Sequence, residues 1–452
     1  MPKELAALLI ISFIIGLFYL EFKEESPFSF AIWIPTLFFM TVISKPLSQW
    51  FTLGPVDMVM SSSEQMEGDP INRLFLILLM LIGLAILIKR NINLLEYVYR
   101  NKWVFVFFAY VLISFIWSDY PLIALKRIFR AFGIVIMVLV ILSEPDPMDA
   151  LKKVFRRTIY LMIPLSVLFV KYYRDIGVYY DPWGGMPNFR GVSTDKNSLG
   201  RLCLICGMYL TWDFSVLWRK RKKYFNIKKI LINIFLFLLT IYVLKTSNSV
   251  TSLIGLIFGI CVYFGLRFSF VRKNIGWTSL LVFIYLALVL IFEANSFILD
   301  SVALTGKSST FLSRTILWKD LIGFNTNPII GTGYGSFWLG ERLVFLWNKY
   351  WWQPTQAHNG YLEIYLELGL IGVTIWIGIL FTSYKYAQRI LDINFDFGRL
   401  IMAFIFIMLV YNVTEANFQL TSIFWFTFLL LTFRAPNFND DLSLKNRIIY
   451  SS

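Results

Sequence analysis

Apolar runs long enough to cross a bilayer recur from one end of this chain to the other, and they decide what it can fold into. A helix needs roughly 20 apolar residues to span the hydrocarbon layer. Runs of that order lie at 4–20, 28–44, 71–88, 103–117, 129–143, 158–171, 198–217, 230–244, 250–267, 276–293, 362–383, 399–412 and 418–433. In lipid every backbone polar group needs an internal partner, and such runs exceed the length of a barrel strand. The expected fold is therefore an all-α polytopic membrane protein with about 12 to 14 transmembrane helices. One large extracytoplasmic loop is expected between the tenth and eleventh spans. Composition leaves little else, since 58% of the 452 residues are hydrophobic and 15% charged. The organisation reads as a single transmembrane domain over 1–433, including the loop at 294–361, followed by a polar cytoplasmic tail at 434–452.

The run at 4–20 follows Lys3 and resembles a signal peptide, but it ends in Glu21-Phe-Lys-Glu-Glu without a small-residue cleavage pattern. It reads as a retained first span. No internal repeat is visible, which counts against a secondary transporter.

The net charge of +14 does not imply nucleic acid, because the basic residues sit in short tracts between apolar runs rather than on one soluble face. The positive-inside rule accounts for them. It places Trp218-Arg-Lys-Arg-Lys-Lys-Tyr, continued by Lys228 and Lys229, in the cytoplasm. Counting outward then puts Lys89, Arg90, Arg100, Lys102, Arg156, Arg157, Lys385 and Arg389 on the same side. It puts residues 45–70, 172–197 and 294–361 outside, together with the N-terminus. Cys203, Cys206 and Cys261 all fall inside apolar runs, where they suit helix packing rather than a disulfide framework or a thiolate metal cage.

Chemistry concentrates at the end of the large loop. His358, the single histidine of the chain, stands where the loop meets the next span. It is the side chain whose unperturbed pKa suits general base work near neutrality. One histidine cannot make a histidine-ligated metal site. Asn359 or Gly360 can cap the helix that follows, with Glu363 in its first turn. Glu367 lies about four residues further on, on the same face, where an intramembrane carboxylate either serves the site or pairs for structure. Two extracytoplasmic arginines, Arg190 and Arg314, offer guanidinium forks for a lipid diphosphate, or snorkel to headgroups without selectivity. Lys196 is a further cation near Arg190. Aromatic residues from Trp318 to Trp352 either form an interfacial belt or platforms for sugar faces.

Three segments resemble the O-antigen ligase and O-antigen or exopolysaccharide polymerase superfamily of bacterial envelope proteins. They are Arg190-Gly-Val-Ser-Thr-Asp-Lys-Asn-Ser-Leu-Gly200, Ser313-Arg-Thr-Ile-Leu-Trp318 leading to Gly331-Thr-Gly-Tyr-Gly-Ser-Phe, and His358-Asn-Gly-Tyr-Leu with Glu367-x-Gly369. Trp117-Ser-Asp-Tyr-Pro121 and Pro70-Ile-Asn-Arg73 are similar to patterns of its exopolysaccharide polymerase branch. The chain departs from several relatives in carrying Asp195 where they have a histidine.

The resemblance implies a multi-pass protein of the bacterial cytoplasmic (inner) membrane, with its active site facing outside or the periplasm. It implies a metal-independent, inverting glycosyltransferase that uses no cofactor. Its donor would be a polyprenyl-diphosphate-linked glycan, and its acceptor a glycan hydroxyl in a polymerase, or lipid A core or protein in a ligase. Membrane lipids and polysaccharide assembly machinery are the other expected partners, and nucleic acid is not one. His358 would act as the catalytic base, Arg190, Arg314 and Lys196 would hold the diphosphate, and Glu367 would orient His358 or its helix. The rival of another class is a transporter of the lipid-linked glycan, in which the same arginines bind phosphate but no bond changes.

Overall fold

The computed structural model describes residues 1–24, 29–51, 69–180, 185, 187–220, 226–274, 276 and 309–436. Their backbone is mostly helical. The helices that matter below are α1 (Lys3–Glu24), α2 (Trp33–Ile43), α3 (Pro70–Lys89), α4 (Leu94–Arg100), α5 (Lys102–Ile113), α6 (Pro121–Leu142), α7 (Pro147–Lys171), α8 (Lys196–Lys220), α9 (Ile227–Ser247) and α10 (Val250–Gly265). Beyond them lie α11 (Ser309–Gly323), α12 (Gly340–Lys349), α13 (Gly360–Ile393), α14 (Phe395–Thr414) and α15 (Ile423–Thr432). An antiparallel pair, β1 (Val178–Tyr180) and β2 (Pro187–Phe189), sets Val178 opposite Phe189. The expected span at 276–293, part of the large loop, much of the basic tract after Trp218 and most of the tail lie outside the described residues.

Every other expected apolar run falls on one of these helices. Among the described residues, five helices are long and apolar enough to cross a membrane, or up to six when α4 and its continuation, bent by 101°, count as one span. The starts of α3 and α7 follow local chemistry. Asp69 and Asp146 accept from backbone N–H groups of Asn72 and Asp149, and each is followed by a proline at the first helical position, where the missing N–H costs nothing.

Helix α14 runs through the centre, with 89% of its most apolar stretch buried. Small residues bring its neighbours close. A Cβ on Gly259 of α10 would stand 2.4 Å from Ile407, and one on Gly255 2.7 Å from Leu204. Without a hydrophobic drive between helices in lipid, such close backbone approach carries the packing.

Polar contacts gather at two opposite ends of this bundle. One end joins Arg90 to Glu144, Arg157 to Glu21, Arg219 to Asp396 and Arg434 to the Thr382 carbonyl. The other joins Lys45 to the Ile176 carbonyl, Trp117 to Ile330, Arg314 to Glu415 and Arg201 to Asn417. These are the same two groups of segments that the basic-tract count assigns to opposite sides.

Candidate functional site

The motif His358-Asn359-Gly360 has a local reason for each residue. His358 adopts φ +53°, a left-handed conformation that non-glycine residues rarely hold. Asn359 caps α13, its Oδ1 accepting from the N–H groups of Tyr361 and Leu362 at 3.0 and 3.1 Å. Gly360 has no room for a side chain, since a Cβ would lie 2.3 Å from Asn412 Oδ1.

Glu363 then fixes the preceding turn. Its carboxylate is buried and accepts from the Ala357 N–H at 2.5 Å and from Trp338 Nε1 at 2.8 Å. Trp318 Nε1 donates to the Ala357 carbonyl at 2.6 Å. The strained histidine is thus held from both sides of its own turn.

The His358 side chain is one-fifth exposed, and its Nδ1 is buried 3.6 Å from Glu415 Oε2. Glu415 is 3% exposed and follows the last residue of α14. Arg314 of α11 reaches the same place, donating from Nη1 to the Thr414 carbonyl at 2.7 Å, with Nη2 3.7 Å from Glu415 Oε1. Asn197 of α8 donates to Glu415 Oε1 at 3.3 Å. One turn along, Arg201 donates to Asn417 Oδ1 at 2.9 Å and to Ser198 Oγ at 2.6 Å. The 412–417 turn is itself braced by Asn412, whose Oδ1 accepts from Asn417 N at 2.8 Å. An imidazole, a carboxylate behind it and cations from two other helices therefore meet at one end of the bundle.

Beside this cluster lies a cleft of about 370 Å³. Thr355 and Gln356 lead from it to His358, while Ser198, Arg201 and Arg130 supply hydroxyl and guanidinium donors to its walls. The mixture suits an anion-bearing polar ligand.

The other expected site residues stand apart. Arg190 is 3% exposed at the end of β2, donates from Nε to the Ile176 carbonyl at 3.1 Å and stacks 5.8 Å from the Tyr179 ring. Lys45 donates to the same carbonyl. Burial first, then the Arg190 charge, push the Lys45 ammonium down to about 7, and burial also lowers Arg190 despite the nearby Tyr179. Lys196 opens α8 as its first residue, next to Asp195. Asp195 accepts from the N–H groups of Asn197 and Ser198, each at 2.9 Å. Burial alone would raise its pKa. The Arg201 charge and hydrogen bonds from Ser198 and Thr194 outweigh that and hold it below the usual carboxylate range.

Glu367 does not sit at His358: it lies two turns into α13, about 10 Å along the helix from Gly360 by its rise. Its carboxylate accepts from the Gly335 N–H near Arg127. It adjoins a break in α13, where Gly369 takes φ +63°. The glycine-rich loop repairs that break. Thr332 N and Gly333 N donate to the Leu366 and Glu367 carbonyls at 3.1 and 2.9 Å, while Leu370 N and Ile371 N donate to Pro328 and Ile329 at 2.9 and 3.2 Å. Tyr110 takes the Leu368 carbonyl at 2.9 Å. A broken span is tolerated only where its freed groups find such partners.

Most loop aromatics form neither belt nor platform. Trp318, Phe337, Trp338 and Tyr350 are buried in a small core with Leu317, Leu321, Leu343 and Leu346. Phe345 and Trp351 stay exposed, and Trp352 lies 6.1 Å from the His358 ring, centroid to centroid.

Residues 235–377 match the family model for O-antigen ligase, a stretch that includes Arg314, His358, Glu363 and Glu367. Among curated proteins the chain is similar to the exopolysaccharide production protein ExoQ of Rhizobium meliloti (strain 1021). The two are 26% identical over 297 residues, covering 62% of this chain and 64% of that protein. It is also similar to a putative polysaccharide ligase of Rickettsia bellii (strain RML369-C), 27% identical over 223 residues, covering 45% of this chain and 52% of the relative. The chain thus spans less than two thirds of the length of either relative. The family match and both relatives support membership of the O-antigen ligase and polysaccharide polymerase superfamily, the one that the motifs at Arg190, Arg314 and His358 resemble.

Proposed function

We propose that this protein is a membrane glycosyltransferase of about thirteen spans that extends an extracellular polysaccharide outside the cytoplasmic membrane. It takes a glycan from a polyprenyl-diphosphate donor and transfers it to an acceptor sugar hydroxyl. The observation that carries this reading is the convergence of His358, Arg314 and Asn197 on Glu415.

In the proposed step the acceptor oxygen attacks the anomeric carbon while its proton passes to the accessible nitrogen of His358. The bond from that carbon to the diphosphate oxygen breaks, and the diphosphate leaves with the electron pair. Glu415 faces the opposite ring nitrogen, where a carboxylate orients the ring and stabilises the imidazolium as it forms. Arg201 and Arg130 in the adjoining cleft, with Arg314 beside Glu415, stabilise the charge on the departing diphosphate. Lys196, partly exposed at the start of α8, lies on the side from which the donor headgroup approaches, while the buried Arg190 and Lys45 brace the backbone there through the Ile176 carbonyl. A diphosphate needs no general acid to leave, so one histidine suffices, and the step draws on no metal. Attack opposite the leaving group inverts the anomeric centre.

The test uses purified protein and lipid-linked repeats alone. A ladder of products on the lipid, with inverted linkages by NMR, supports the polymerase. A second reading, transfer to a different acceptor, is favoured by the relative named as a polysaccharide ligase. It predicts no product until that acceptor is added. Retained anomeric configuration contradicts both.

A further inference from the structure

At the end of the bundle away from His358, two adjoining clefts of about 370 and 200 Å³ share Tyr99, Arg100 and Arg434. Lys385 and Arg389 of α13 line the first, and Lys102 the second. No carboxylate lines either cleft among the described residues. Glu96 pairs with Arg100 at 2.7 Å, but that pair is more than a third exposed and so only weakly held. Positive charge from α4, α5, α13 and the segment after α15 converges here without matching negative charge.

Two further features point to a ligand. Tyr386 also lines the first cleft, is 3% exposed, and its hydroxyl has no hydrogen-bond partner, whereas buried hydroxyls are ordinarily satisfied. Helix α4 is bent by 101° from the helix that follows it, so when the latter spans the membrane α4 lies along the surface. Beside the cations it exposes Leu94, Leu95 and Tyr99, the arrangement of a helix at a lipid interface.

We propose that these clefts bind the headgroup phosphate of an anionic phospholipid. Arg434 and Arg389 present guanidinium forks, Lys385 and Lys102 add charge, and the Tyr386 hydroxyl donates to a phosphate oxygen. The apolar residues of α4 lie in the same leaflet as the acyl chains, which selects a lipid over a free anion. Basic pockets between helices on the cytoplasmic side have this property.

The experiment takes the full chain in nanodiscs of phosphatidylcholine containing a minor fraction of phosphatidylglycerol, with retained lipid counted by native mass spectrometry. Phosphatidylglycerol is expected to be retained over phosphatidylcholine. Lys385→Gln with Arg389→Gln, both exposed side chains, should lower retention by about fivefold per charge removed while the protein melts as the parent does. Tyr386→Phe should lower it further. Lys349→Gln, at the other end of the bundle, should change nothing, and inorganic phosphate should not displace the lipid. Equal retention of both lipids, or retention unchanged in the double variant, overturns the site. Displacement by inorganic phosphate overturns the lipid as its occupant.

Discussion

His358 Nδ1 stands 3.6 Å from Glu415 Oε2, which ties the start of α13 to the turn that ends α14. Both residues are held by their own backbone surroundings, His358 by the Glu363 bonds to its turn and Glu415 by the Asn412 brace. Arg314 and Asn197 reach the same carboxylate from two other helices. The site therefore depends on the packing of four helices rather than on one loop.

Glu415→Gln keeps the size of the side chain and removes the charge facing His358. Turnover with lipid-linked donor is expected to fall by about 10²-fold, with KM changing much less, because the lost interaction belongs to the transition state. Glu415→Ala should do more harm, since it also removes the oxygen that Asn197 and Arg314 reach and leaves a void at a buried position. Steady-state kinetics of the two variants check this. Equal kcat in Glu415→Gln and the parent contradicts the role assigned.

Glu363→Gln tests the hold on the histidine turn. An amide can accept from Ala357 N or from Trp338 Nε1, but its NH2 must then face the other donor. An unsatisfied buried donor costs roughly 1–3 kcal/mol, and a displacement of about 1 Å at a reacting group costs about 10²-fold in rate. The expected result is a kcat loss of that order with a lower melting temperature, whereas a purely structural Glu363 would lower stability alone.

Much of the fold was legible in the sequence because an apolar run of membrane length admits few alternatives, and each expected run among the described residues falls on a helix. His358 and the cap at Asn359 were legible too, since both depend on local sequence. Glu415 was not. It sits in Asn412-Val-Thr-Glu-Ala-Asn417, a short polar link between two apolar runs with no periodicity, and its meaning comes from helices far away in the chain. A carboxylate on such a link, on the same side as His358 by the charge count, was the signal available. Gly331 was not legible in its role either: its missing side chain lets the loop approach the backbone at Glu367 and Leu368, beside the break at Gly369, while Gly333 and Gly335 make room for Ser118 and Arg127.

Gly369→Ala should expose that dependence. A Cβ there would lie 2.2 Å from the Ile329 carbonyl oxygen, at φ +63°. Strain of this kind costs about 1–3 kcal/mol before any clash, so a melting temperature lower by several degrees is expected. Gly323→Ala, with nothing within 4 Å of its Cβ, is the control and should melt as the parent does.

Lys45 gives a pH dependence with a definite sign. Burial and Arg190 lower its pKa from 10.5 to about 7, so the folded protein binds this proton less readily than the unfolded chain does. The group's favourable contribution is present above the unfolded value and is lost as pH falls from 10.5 towards 7. Lys45→Met is therefore expected to raise the melting temperature near pH 7 and to lose that advantage as pH approaches 10.5. The Ile176 carbonyl keeps its bond from Arg190 Nε. A melting profile parallel to the parent's at every pH contradicts the account.

The most direct measurement is single-turnover transfer by His358→Ala, alongside donor binding by the same preparation. The account predicts that transfer falls by about 10² to 10⁴-fold while the lipid-diphosphate donor still binds. Transfer at the parent's rate would contradict it and remove His358 from the chemistry.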